Sequence, residues 1–182
     1  ERKNFVILDR VKRKKNILEK LKKFCKSKNL IIEVDEKLLT RVCDSIEFPN
    51  LFFGIFDKVF FKLPDFLLRT VITEKQDYFY FKHKNGEVSN NFGFVSNKGL
   101  SKKAFLSSGN ENVLRARFSD ALFFIKEDNK INLNDRTEKL SKIIFYDGVG
   151  NLLDRSNRIK FLTEKISEKT GKDISKIKDY LN

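Results

Sequence analysis

Residues 78–95 constrain the fold more than any other stretch. Tyr78-Phe79-Tyr80-Phe81 and Phe92-Gly93-Phe94-Val95 are aromatic-rich runs, and Asn85-Gly86 lies between them. Asn tolerates positive φ and Gly has no Cβ to clash, so this pair predicts a tight two-residue type I′ reversal. An antiparallel hairpin follows, and a hairpin needs further apolar elements to cover it. The alternating aromatics Tyr78, Tyr80, Phe92 and Phe94 have two readings. They are buried core, or an exposed platform on which bases stack. With 19 Phe in the chain, core is the better reading.

The remaining pattern supplies the covering elements. Residues 9–28 read as a helix with a thin stripe of Val11, Leu18, Leu21 and Cys25, interrupted by Lys14, and with Lys and Arg elsewhere. Residues 35–46 read as a short helix capped by Asp35, with Leu38, Leu39, Val42 and Ile46 on one face. Pro49 ends it, and residues 51–56 follow as a buried strand. Leu63-Pro64-Asp65 opens a third helix with core positions Leu67, Leu68, Val71 and Ile72, Pro64 suiting its first turn. Ser108-Gly109-Asn110-Glu111 reads as a capping box that starts a helix running to about Asp128, with a stripe of Leu114, Phe118, Ala121, Leu122 and Ile125. Residues 134–145 predict another helix, 147–150 a break, and 153–170 a last long helix closed by Gly171. Asp173 starts one more helix, through Ile174, Ile177 and Leu181. The expected fold class is α+β. A small, mainly antiparallel sheet over about 46–106 is flanked by helices, with helical N- and C-terminal segments. The expected segments are 1–46, a basic helical part; 47–130, an α+β module; and 131–182, a helical part.

Charge narrows the partner. The chain carries 38 Lys and Arg against 25 Asp and Glu, a net of +13, which favours polyanions and above all nucleic acid. Residues 1–30 hold 12 of those basic residues against three acids, so most of the surplus sits in the first helix. Its two readings are a solvated lysine-rich face, to which AT-rich codon usage contributes, and a phosphate-contacting helix in which Lys12, Arg13 and Lys15 take part. The absence of Met, even at position 1, reads as an internal piece of a longer protein.

Catalytic signatures are missing. His83 is the single histidine and sits beside the hairpin turn, and Cys25 and Cys43 are far apart in sequence. These cannot supply a zinc site of the usual ligand count. No GxSxG, GxxxxGK[ST] or GxGxxG motif occurs. No apolar run approaches the length of a transmembrane helix, and Phe5-Val6-Ile7-Leu8 is too short for a signal peptide. No metal and no cofactor is expected in this chain, and no membrane partner.

The remaining constellation lies in 107–124. A polar loop at a helix N-terminus leaves backbone amides for an anion, and Asn110, Arg115 and Arg117 follow within two turns. Arg115 and Arg117 lie about 200° apart around a helix and do not face one ligand simply. Either they contact RNA, or one of them is held by Glu111 or Asp120 as a structural pair, Glu111 being spaced for Arg115 and Asp120 for Arg117.

Several motifs occur in a telling order. They are Ile46-Glu47-Phe48-Pro49 with Gly54-Ile55-Phe56; Leu63-Pro64 and Leu67-Leu68 with Gln76-Asp77-Tyr78-Phe79; and 92–97, Phe-Gly-Phe-Val-Ser-Asn. Residues 109–121 with Phe123-Phe124 follow, then Ile144-Phe145, Gly150, Leu152, Asp154 and Arg158. Over roughly 5–170 this resembles the bacterial glycyl-tRNA synthetase β-subunit family. The chain departs from the family pattern at Phe48, Asp77, Asn90, Asn91 and Tyr146. The resemblance implies an internal segment whose middle is similar to the B3/B4 module of phenylalanyl-tRNA synthetase β, an α+β fold, followed by an HD-like helical region. It implies a cytoplasmic α2β2 ligase that attaches glycine to tRNA. ATP, with Mg, and glycine belong to the separate α subunit, and the β subunit binds tRNA. No family motif assigns a catalytic role to a residue of this segment. The expected role is tRNA binding and subunit scaffolding. The alternatives are a purely structural module and, more weakly, a hydrolytic editing module. Glycine is the smallest amino acid, so steric exclusion leaves editing little to do.

Overall fold

The computed structural model describes residues 6–175. The chain divides into two compact units, residues 1–124 and 125–182.

The first unit is built on a three-stranded antiparallel sheet. Strands β1 (Asn50–Ile55), β2 (Phe79–Lys82) and β3 (Val88–Ser96) lie in the order β1-β3-β2. The register sets Phe52 opposite Phe94, Gly54 and Tyr80 opposite Phe92, and Phe53 and Phe79 opposite Gly93. Side chains alternate across a pleated strand, so this register sorts the aromatics into two layers. Leu51, Phe53, Phe79, Phe81 and Val95 face one side. Phe52, Tyr80, Phe92 and Phe94 face the other, where the Tyr78 ring packs on Phe92 and Phe94. Tyr78, Tyr80, Phe92 and Phe94 are all buried, so they are core and present no stacking platform.

Helices α1 (Arg10–Lys28) and α2 (Glu36–Ser45) cover the first face. The Asp9 carboxylate caps α1 by accepting from the amides of Val11 and Lys12, and Asn29 at φ 55° closes it. The stripe differs from the expected one. Ile17, Leu21 and Cys25 are buried, whereas Val11 is 74% exposed and Leu18 half-buried. The row at i, i+4, i+8 wins because it brings Phe24 against the sheet, where its ring stacks on Phe53 at 3.6 Å. In α2, Asp35 caps by accepting from Lys37, and Leu38, Leu39, Val42 and Cys43 are buried.

The hairpin has a longer loop than expected, and its register shifts between Tyr80 and Lys82. The His83 amide donates to Glu87 O (2.8 Å) and the Gly86 amide to His83 O (3.0 Å). Only Gly86, at φ 90°, lies in the left-handed region; Asn85 does not. The loop is therefore Lys84-Asn85-Gly86, in the pattern of a type I turn followed by a glycine bulge. The Asn85 side chain bonds the Glu87 amide and carboxylate instead of needing positive φ.

A 3-10 segment (Lys58–Lys62) leads to α3 (Asp65–Thr70), which runs on into a single π turn (Val71–Lys75). Pro64 sits at the N-cap of α3, one position before the expected first turn. Leu68, Val71 and Ile72 are buried there.

Helix α4 (Lys103–Asp128) overturns the expected capping box. It begins five residues before Ser108 and passes through Gly109 without a break. The Glu111 carboxylate does not return to Ser108; it accepts from the Ile55 amide at 2.9 Å. The Ser107 hydroxyl donates to Phe53 O at 2.8 Å. Both partners lie on the edge of β1 not paired with β3, so α4 satisfies a strand edge. The opposite edge is closed by Ile31, whose amide and carbonyl pair with those of Lys82.

The second unit contains a 3-10 stretch (Asn134–Lys142), a two-stranded hairpin of β4 (Ile144–Tyr146) and β5 (Gly150–Asn151), and helix α5 (Leu152–Thr170). The helix expected over 134–145 thus ends at Lys142, because 144–146 pair with 150–151. Asn151 and Asp154 form a reciprocal capping box, and Gly171 at φ 66° closes α5. Asp173 accepts from the Ser175 amide; the rest of the helix expected there lies outside the described residues.

Candidate nucleic-acid interface

Ten of the 19 residues of α1 are basic, and the fold divides them. Arg10 makes a two-pronged pair with Asp44 at 2.6 and 2.7 Å. Arg13 donates to Ile7 O, Leu8 O and Cys43 O, so its guanidinium is occupied by backbone. Lys14 pairs with Glu36, and Lys20 donates to Pro49 O at 3.0 Å. Burial pushes the Lys20 ammonium down from the ordinary lysine range. These four tie α1 to α2 and to the chain on either side of it. Lys12, Lys22, Lys23, Lys26 and Lys28 are exposed, with no ion pair among the described residues. Lys15 is exposed too, 4.0 Å from Glu19.

On α4, Arg115 and Arg117 are exposed. Neither forms an ion pair among the described residues, so the structural pairs expected with Glu111 and Asp120 are absent. The reason for the first is plain: the Ile55 amide holds Glu111. Asn110 is inside the fold. It accepts from the Tyr78 hydroxyl and donates to Leu106 O at 2.7 Å. Burial pushes the Tyr78 phenol up, which keeps it a donor. The expected residues therefore split. Lys12, Lys15, Arg115 and Arg117 are outward cations, whereas Arg13 and Asn110 are internal clamps. The cations belong to helices of different layers. α1 covers the first sheet face, and α4 meets the β1 edge and the second face, where Phe118 packs on Phe56 and Phe60.

Several motif residues make bonds that hold the fold together. Asn97 accepts from the Phe48 amide and donates to Glu47, whose carbonyl takes the Ile7 amide. Arg158 donates to Val149 O. Two departures from the pattern also find local partners. Asp77, at φ 54°, pairs with Arg41 at 3.0 Å, and Asn90 donates to Phe56 O at 3.2 Å. The bracket of Ser107, Asn110 and Glu111 escaped sequence reasoning because a helix start and a helix-to-edge clamp use the same polar residues. Lys22, Lys23 and Lys26 were not among the expected contacts, although the expected stripe already leaves Lys23 on the far side of the helix. The i, i+4 spacing of Ile17 and Leu21 is the signal that also turns Lys22 and Lys26 outward.

Elsewhere the chemistry is sparse. Cys25 and Cys43 are free and buried, and burial pushes the Cys25 thiol up. His83 is exposed. Among the described residues no group of three or more His, Cys, Asp or Glu converges on a metal position, and no helix is long and apolar enough to cross a membrane.

The geometry describes a helix-covered sheet with outward cations, and comparison with known proteins supplies the family. The family described as glycyl-tRNA synthetase beta subunit matches residues 1–180. A glycine–tRNA ligase beta subunit of Halalkalibacterium halodurans is 36% identical over 167 residues, 92% of this chain and 24% of the relative. That of Bacillus subtilis is 37% identical over 173 residues, 95% and 26% of the two chains. That of Dictyoglomus thermophilum is 35% identical over 170 residues, 93% and 25%. The chain thus spans about a quarter of the length of these relatives. With the ordered motifs and the matching α+β architecture, this establishes that the chain belongs to the glycyl-tRNA synthetase β-subunit family.

Proposed function

We propose that this chain is a non-catalytic, tRNA-binding and scaffolding segment of the β subunit of a glycine–tRNA ligase. One observation carries the reading: in a chain of this family, the outward cations Lys12, Lys22, Lys23, Lys26, Arg115 and Arg117 form no ion pair among the described residues, and Lys15 has only Glu19, at 4.0 Å. Phosphates neutralise such a surface and release its counterions. The partner we assign is the separate α subunit of a cytoplasmic α2β2 enzyme. ATP with Mg and glycine are handled there, and no residue of this chain is assigned to them.

The test uses the purified chain and its tRNA. At low ionic strength the tRNA shifts, and the shift weakens with salt. The chain alone does not attach glycine to tRNA. Glycylation without the α subunit would overturn the non-catalytic reading, and no shift at low salt would remove the RNA role. A purely structural reading has support of its own at one place. The Ser107, Asn110 and Glu111 side chains each bond a partner within the first unit.

A further inference from the structure

Resting on that tRNA-binding reading, we propose that the outward face of α1 grips RNA through its phosphates alone and does not read its bases. An α-helix turns about 100° per residue, so position on the helix fixes direction. Lys12, Lys15, Lys22, Lys23 and Lys26 then share an arc of about 100°, centred opposite the buried row of Ile17, Leu21 and Cys25. The strip runs about 21 Å along the axis, at about 1.5 Å per residue. One acid interrupts it: Glu19, 4.0 Å from Lys15.

The contents of the arc decide the mode of binding. Lysine offers a mobile point charge that suits a phosphate and lacks the flat fork of arginine; the guanine O6 and N7 that a lysine can also reach lie, in an RNA helix, in a deep major groove closed to side chains. The arc holds no Arg, Asn, Gln or aromatic side chain, so it has neither base-edge donors in fixed geometry nor a stacking surface. An acidic protein is the less favoured occupant. Protein interfaces centre on buried apolar anchors, whereas Val11 and Leu18, which share a groove with Lys15, Glu19 and Lys22, lie at one border of the strip and not at its centre.

The experiment titrates the full chain with its tRNA, with poly(U) RNA and with polyglutamate, from 50 to 200 mM salt. Five phosphate contacts predict that affinity for either RNA falls about 100- to 500-fold over that range. Lys22→Gln lowers the slope of log K against log salt by about one. Changing all five lysines to Gln abolishes most of the slope with the urea midpoint kept. Glu19→Gln tightens both RNAs several-fold, an effect that a face turned away from RNA would not give. Should the fivefold variant unfold, Lys22, Lys23 and Lys26 to Gln together carry the same comparison, with a slope loss of about three. Unchanged affinity and slope in a folded variant overturn the assignment of α1 but leave tRNA binding by another surface intact. No binding of the unaltered chain to tRNA at 50 mM overturns both. Binding to polyglutamate as tight as to RNA also overturns the assignment, in favour of an acidic protein.

Discussion

Two glycines with the same lack of a side chain do opposite things. A Cβ on Gly54 would lie 2.6 Å from the Phe92 ring and 3.0 Å from Cγ of Glu111. Phe92 is fully buried and Glu111 is held by the Ile55 amide, so neither yields easily. Gly54→Ala is expected to destabilise by about 1–3 kcal/mol through overpacking. Gly109 lies inside α4 with nothing within 4 Å of the position its Cβ would take. Ala there removes backbone freedom from the unfolded chain at no steric cost, so Gly109→Ala is expected to stabilise by about 0.5–1 kcal/mol. Urea unfolding of the two variants measures both, and opposite signs are the point. Glu33 supplies a pH test at the same scale. Hydrogen bonds from Lys82, then its charge, hold the Glu33 carboxyl below the ordinary carboxylate range, and Lys82 is raised by the same bond. A depressed acid stabilises above its unfolded pKa and loses that stabilisation as pH falls through the folded value; the raised lysine loses its share at alkaline pH. The pair therefore contributes between those limits. In a carboxyl NMR titration, Lys82→Met returns Glu33 toward the ordinary range; an unmoved Glu33 would refute Lys82 as the cause.

At the scale of elements, α4 is a brace for a strand edge. Its Glu111 carboxylate is the acceptor for the Ile55 amide, and Ser107 is the donor to Phe53 O. Water reaches Ile55, which is 57% exposed, so losing the bond costs less than it would in a dry core. Glu111→Ala is expected to cost about 1 kcal/mol and to speed exchange of the Ile55 amide selectively, while Phe92 and Phe94 amides keep their protection. Uniform acceleration across the sheet would mean that α4 does not act at that edge. This brace also explains what was legible in advance. The hairpin, the Asp35 cap and the Gly171 stop were readable because each depends on neighbours a few residues apart. The partner of Glu111 was not, since Ser108 and Ile55 both offer an amide and only the sheet register chooses between them. The same limit hid the α1 stripe. Val11, Leu18, Leu21 and Cys25 made a plausible face, but Phe53 and Phe81, far along the chain, decided that Phe24 should turn inward.

At the scale of the whole molecule, burial is concentrated in one unit. Every buried apolar side chain lies at or before Phe118, from Ile17 onward, among the described residues. Residues 125–175 contain none, and α5 leaves Phe161, Leu162 and Ile166 more than half exposed. A unit of fewer than about 60 residues is marginal even with a closed core, because too little of its surface is removed from water. Local bonds hold the second unit together: the Asn151–Asp154 capping box, the short β4–β5 hairpin and the Arg155 guanidinium over the Phe145 ring at 4.6 Å. Such bonds each contribute little and do not by themselves make unfolding cooperative. Residues 1–124 expressed alone are therefore expected to show a sigmoidal urea transition with the aromatic core intact. Residues 125–182 alone are expected to lose helix gradually with urea and to bind a hydrophobic dye in its absence. A cooperative transition with no dye binding in the second fragment would show that its exposed apolar residues close on one another, and that the unit carries a core of its own.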